Sequence, residues 1–128
     1  FDAKFFPEKR GKFLKLWLTQ SDATALLAED DDGNLLGYGV VRKCFQGHKI
    51  GPLFAETPQT AKWLFDALAD SIRGEELFID VPTVNASALQ IVLAQDMKPV
   101  FTTARMYTKQ APNLPLDKIY GVTSLELG

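Results

Sequence analysis

Residues 57–73, TPQTAKWLFDALADSIR, constrain the fold more than any other stretch of this chain. Thr57 can cap a helix and Pro58 can open it, because proline at the first helical position gives up only an N–H that has no intrahelical partner. Ala61, Leu64, Phe65, Leu68, Ala69 and Ile72 recur at the spacing of one buried face, and Gly74 ends the run. The preceding residues, IGPLFA, are strand-like, so the chain passes from a strand through a short turn into a helix. Many α/β proteins hold phosphate at such a place, since a helix N-terminus offers unpaired N–H groups and a partial positive charge.

The remaining elements follow from periodicity and turn chemistry. Phe6, Phe13, Leu14, Trp17 and Leu18 fall largely on one face of a helix over Phe5–Gln20, with Lys9, Lys12 and Lys15 turned away. Thr24–Ala28 and Leu35–Val41 read as strands joined by the hairpin chemistry of EDDDGN, and Lys49–Phe54 continues as a third antiparallel strand. Glu76–Val81 reads as a short strand of the kind buried in a sheet centre. Asn85 caps a helix to about Gln95 that buries Ala88, Leu89, Val92 and Leu93. Val100–Tyr107 and Tyr120–Leu127 read as closing strands, separated by QAPNLPLDK, whose prolines forbid ladder pairing.

A chain of 128 residues fits one α/β domain over 1–128 and buries a core without metal or disulfide staples. No apolar run approaches the roughly 20 residues of a bilayer span, so a soluble protein is expected. The net charge is -2, with lysines and arginines scattered, which gives no footprint for nucleic acid or an anionic membrane. The single cysteine, Cys44, excludes an intrachain disulfide and fits a cytoplasmic protein. The chain begins with Phe1 and carries no basic and apolar leader, and it reads as a piece of something longer.

The order helix, three antiparallel strands, helix, strand, helix, strand, strand, together with VPTVNASALQIVLAQDMKPVFTTARMY, resembles the GNAT N-acetyltransferase superfamily. Asn85, Ala88, Ile91, Val92, Asp96, Met97 and Tyr107 fall at the spacing of that family's motif after its central strand, with partial identity. The family's first strand and helix have no counterpart before Phe1. IGPLFAETP, LFIDVPTVN and ARMY, in this order, look like the C-terminal domain of tandem GNAT proteins. The resemblance implies a mixed, mostly antiparallel sheet flanked by helices, splayed between the family's fourth and fifth strands. It implies acetyl-CoA as cofactor, an amine as acceptor, and an N-terminal GNAT domain of the same protein as partner, and it leaves room for a homodimer.

GNAT enzymes cradle the coenzyme pyrophosphate with Q/R-x-x-G-x-G/A, where small residues let successive N–H groups converge on the phosphates. Here the motif falls on Glu56, Thr57, Pro58, Gln59, Thr60 and Ala61, and only the final small residue survives. Glu56 sets a negative charge beside a phosphate, Gln59 adds bulk, and Pro58 deletes a donor. Pantetheine pairing along Leu53, Phe54 and Ala55, with Asn85 nearby, is the remaining route to the cofactor. Where the family often has a general-acid tyrosine, Val92 stands, and valine donates no proton. The candidates for proton transfer are His48, in a GHK turn, and Glu56, with Tyr107 lining a cleft.

Two function classes therefore stay open. In one, the chain is the C-terminal domain of an acetyltransferase and shapes the acceptor pocket or domain interface. In the other, it is a non-catalytic binding or interaction module on the same fold. Metal chemistry has little support: Asp30, Asp32 and Asn34 alternate as in a calcium loop, yet Leu35 and Val41 stand where glycine and a bidentate glutamate belong. Arg105 is expected to pair with Asp80 or, failing that, to bind an anionic ligand, because a strand arginine is costly to bury alone.

Overall fold

The computed structural model of the chain describes residues 1–126. A 3-10 turn at Asp2–Lys4 leads to α1 (Gly11–Leu18), the strands β1 (Ala23–Glu29), β2 (Leu35–Lys43) and β3 (His48–Ala55), and α2 (Pro58–Ser71). β4 (Leu77–Ile79), α3 (Ala86–Ala94), a second 3-10 turn at Leu116–Lys118 and β5 (Ile119–Gly121) complete the order. The caps form as the sequence predicts. Thr57 Oγ1 accepts the Thr60 N–H at 3.1 Å with Pro58 in the first turn, and Asn85 Oδ1 accepts the Ala88 N–H at 3.0 Å.

β1, β2 and β3 form an antiparallel meander. Between β2 and β3 the register passes from Val41↔Ile50 to Gly39↔Leu53, so β3 carries one extra residue. This is a β-bulge at Gly51-Pro52, and it explains how a proline, here after a cis peptide bond, is tolerated in a central strand. The bulge also divides the outer edge of β3. Before it, His48, Lys49 and Ile50 pair in parallel with Leu77, Phe78 and Ile79 of β4; after it, Leu53 and Phe54 pair antiparallel with Gly121 and Ile119 of β5.

Successive residues of a strand face opposite sides, so β2 and β3, buried on both sides, feed two cores. On the α2 and α3 side lie Val41, Ile50, Leu53, Leu64, Phe65, Leu68, Ala88 and Tyr120. On the other side Tyr38, Val40, Phe54 and Ile119 meet Phe5, with Leu14, Trp17 and Leu18 of α1 packed against them. The Trp17 indole N–H donates to the Gly51 carbonyl at 2.9 Å, tying α1 to the bulge.

Four sequence expectations are corrected. The first helix starts at Gly11 and not at Phe5, because Pro7 biases Phe6 away from helical backbone; Phe5 turns inward and stacks on Phe54 with ring centroids 4.7 Å apart. β4 is confined to Leu77–Ile79 and is half-buried at the sheet edge, not central. The last strand ends at Gly121 and turns away at Leu125; Leu127 lies outside the described residues. Val100–Tyr107 is not a strand: every residue from Lys98 to Ala111 is exposed. Strand propensity measures fit to a half-buried pleated surface, and this stretch faces none.

Candidate functional site

The bulge fixes the geometry of the site. Beyond Gly51-Pro52 the strands β3 and β4 diverge, and β5 lies in the gap between them. Val122 donates its N–H to the Asp80 carbonyl at 3.0 Å on the β4 side, while Leu53 and Phe54 pair with β5 on the other. Gly51 has no room for a side chain there, since a Cβ would stand 2.6 Å from the Val122 carbonyl oxygen and 2.7 Å from that of Thr123. Asn85 pins the inserted segment. Its side-chain amide donates to the carbonyls of Asp117 (3.0 Å) and Ile119 (2.9 Å) while its oxygen caps α3, so its polar groups are spent on local structure.

The start of α2 borders the same gap. Glu56 donates its N–H to the Leu36 carbonyl at 2.8 Å, and its carboxylate is bracketed by Lys118 Nζ at 2.6 Å and Lys4 Nζ at 2.7 Å. The hydrogen bond from Lys118, then that from Lys4, hold the Glu56 carboxyl below the usual carboxylate range, and Glu56 in turn raises Lys118. The N-termini of α2 and α3 line a cavity of about 360 Å³ with Glu56, Pro58, Asn85, Ser87, Lys118 and Tyr120 on its walls. A second cavity, of about 240 Å³ and nearly all apolar, lies beside α1 and β1 among Phe1, Leu14, Leu18, Leu26, Leu27 and Tyr38.

Residues 1–121 match the acetyltransferase (GNAT) domain family. The chain belongs to that family. It is 30% identical over its whole length to holothin acyltransferase of Pseudoalteromonas sp. (strain SANK 73390), of which it spans 44%. A provisionally named acetyltransferase of known structure from Pyrococcus horikoshii superposes with a TM-score of 0.69 at 23% identity, covering 99% of this chain and 41% of that protein. A mutant of the BH1408 protein of Bacillus halodurans gives a TM-score of 0.62 at 13% identity over 80% of this chain and 76% of that one. The two structures share the fold, so the GNAT-like mixed sheet with flanking helices is the architecture of this domain. The chain spans less than half the length of the acyltransferase and the Pyrococcus protein.

Acyl transfer in this family draws on an acyl-coenzyme A, and the residues of this GNAT domain do not fit one in the gap. The edge of β3 at Leu53 and Phe54 is bonded to β5, Ala55 is buried, and the Ala61 N–H is returned to the Thr57 carbonyl at 3.1 Å within α2. A pyrophosphate at the start of α2 would meet the Glu56 carboxylate and, at Pro58, a missing donor. Asn85 is 3% exposed, with both amide hydrogens engaged.

The residues named for proton transfer do not converge. His48 and Glu56 stand at opposite ends of β3, roughly 25 Å apart at the rise of an extended strand. His48 begins β3 half-buried, donating its backbone N–H to the Glu76 carbonyl at 2.8 Å, and is not a solvated turn residue. Tyr107 lies in the exposed 98–111 stretch with Arg105 over its ring at 5.5 Å. Arg105 does not pair with Asp80, which is bonded instead to Lys49. The acidic hairpin is a turn: the Asp30 carboxylate accepts the N–H groups of Asn34 (2.7 Å) and Asp32 (3.1 Å), and Gly33 supplies the positive φ of 80°.

Sequence reasoning missed a buried polar cluster. The Arg10 guanidinium donates to both carboxylate oxygens of Asp2 at 2.9 and 2.7 Å and to Thr123 Oγ1 at 3.0 Å, and the Tyr38 hydroxyl donates to the same carboxylate. Burial pushes the Asp2 carboxyl up, but the hydrogen bonds from Arg10 and Tyr38 outweigh it and hold the group below its ordinary value. Burial, then the facing carboxylate, pushes the Tyr38 phenol well above its ordinary value. The cluster joins the first residues to β2 and to the segment after β5, a span of sequence that no local pattern announces.

Proposed function

We propose that this domain is the part of an acyl-coenzyme A dependent N-acetyltransferase that does not itself hold the coenzyme, and that it shapes the acceptor pocket or the interface with a second GNAT domain. The observation that carries the reading is the insertion of β5 along Leu53 and Phe54, with Asn85 locking it in place. The loss of the phosphate-cradle pattern at Glu56-Thr57-Pro58-Gln59 supports it, as does the length of the relatives, which leaves room in them for a separate cofactor-bearing half. The apolar cavity beside α1 is the surface on this domain suited to an apolar part of an amine acceptor. The site of action under this reading is the cytoplasm, where acyl-coenzyme A and free thiols coexist.

Calorimetric titration of the 128-residue chain with acetyl-CoA tests the reading. No saturable binding at millimolar cofactor is expected, and saturable binding at micromolar concentration would sink it. A second reading, a non-catalytic module on the same fold, draws on the separation of His48, Glu56 and Tyr107. It would be selected if the full-length polypeptide also failed to bind the coenzyme.

A further inference from the structure

Val100–Tyr107 reads as a strand and is not paired as one. Its residues are β-branched or aromatic at Val100, Phe101, Thr102, Thr103 and Tyr107, and its only charge is Arg105. Pro99 and Pro112 bound the region. Alternation puts Val100, Thr102, Ala104 and Met106 on one side and Phe101, Thr103, Arg105 and Tyr107 on the other, the pattern of a strand with one apolar and one mixed face. Yet among the described residues no backbone hydrogen bond involves positions 98–113, and Val100, Phe101 and Met106 are 72%, 64% and 86% exposed. An unpaired stretch of this composition, with a single charge, invites pairing with another chain and is costly to leave open.

We infer that Val100–Tyr107 is an interaction strand that adds to a sheet edge of the polypeptide accompanying this domain in its longer relatives. The occupant follows from length: the whole of this chain aligns with 44% of the acyltransferase and 41% of the Pyrococcus protein, so each carries more than a further domain's worth of chain. Strand addition supplies the missing main-chain bonds, and the two faces select the partner by burying Val100 and Met106 on one side and Phe101 on the other. The inference rests on the reading of this domain as one part of a longer acyltransferase.

Amide hydrogen exchange on the 128-residue chain and on the full-length polypeptide that carries it tests the inference. In the isolated chain amides 100–107 exchange freely, and in the full-length polypeptide they are slowed on the order of 100-fold or more. Thr103→Pro, which removes a ladder N–H, leaves the unfolding midpoint of the isolated chain unchanged and lowers that of the full-length polypeptide. Free exchange in both would overturn the inference. So would protection in the isolated monomer, protection that grows with the concentration of the isolated chain (pairing with a second copy), or a gene encoding these 128 residues alone. Acetyl-CoA titration of the same full-length polypeptide reports separately on the acyltransferase reading, so either can fail without the other.

Discussion

The side-chain amide of Asn85 donates to the main-chain carbonyl of Ile119 at 2.9 Å, across 34 residues of sequence. One side chain thereby caps α3 and holds β5 in the gap between β3 and β4, so the order of the helix start and the closure of the gap depend on each other.

Asn85→Ala removes the cap, worth about 1 kcal/mol, and leaves the buried Ile119 carbonyl and the part-buried Asp117 carbonyl short of a donor. A loss of roughly 2 to 3 kcal/mol in urea unfolding is expected. Asn85→Asp keeps the cap oxygen but sets a carboxylate against the carbonyls of Asp117 and Ile119, so it too is expected to destabilise; an unchanged midpoint for both variants would show that Asn85 does not hold β5.

Gly51→Ala places a Cβ 2.6 Å from one backbone oxygen and 2.7 Å from another. Backbone cannot swing aside as a side-chain tip can, so a cost of about 2 kcal/mol is expected, measured by thermal unfolding. Gly11→Ala is the control, because nothing lies within 4 Å of that Cβ.

The Asp2 carboxyl is held below its ordinary value of 3.8 in the folded protein. A depressed carboxylate contributes stability above its unfolded pKa and loses it as pH falls through the folded one, so the contribution of Asp2 is full at neutral pH and disappears on acidification below 3.8. Asp2→Asn is expected to be less stable at neutral pH and to lose this part of the acid slope in denaturant titrations at stepped pH. Arg10→Met leaves the Asp2 charge buried without its cation and is expected to cost about 3 kcal/mol.

Glu56→Gln breaks the ion pairs to Lys4 and Lys118 at a partly exposed site and is expected to cost only about 0.5 kcal/mol. The variant separates two obstacles to coenzyme. If charge alone kept acetyl-CoA out, Glu56→Gln would bind it in calorimetry; because β5 holds the edge of β3, no binding is expected.

The meander, the start of α2 and the cap of α3 were legible because each is written locally: alternation, Asp-Gly turn chemistry, Thr-Pro and Asn at helix starts. The failures share a different cause. Val100–Tyr107 has the composition of a strand, but a strand exists only beside a partner, and periodicity says nothing about which edges are free. β5 is three residues long and is specified by Asn85 and by the space at Gly51, both distant in sequence. Asp2, Arg10, Tyr38 and Thr123 meet from four separate stretches of the chain, so their chemistry was invisible until the chain folded. For the candidate site, the absence of the glycine pattern around Pro58 was readable, whereas the strand lying against Leu53 and Phe54 was not.

The central claim is that this segment, and not a coenzyme, completes the edge of β3. Hydrogen exchange at Leu53, Phe54 and the Ile119–Gly121 amides, followed as acetyl-CoA is added to the 128-residue chain, tests it most directly. Unchanged protection at both segments up to millimolar coenzyme is the expected result. Loss of protection at Ile119–Gly121 with retention at Leu53 and Phe54, saturating as coenzyme rises, would show that the ligand displaces β5 and would contradict the account.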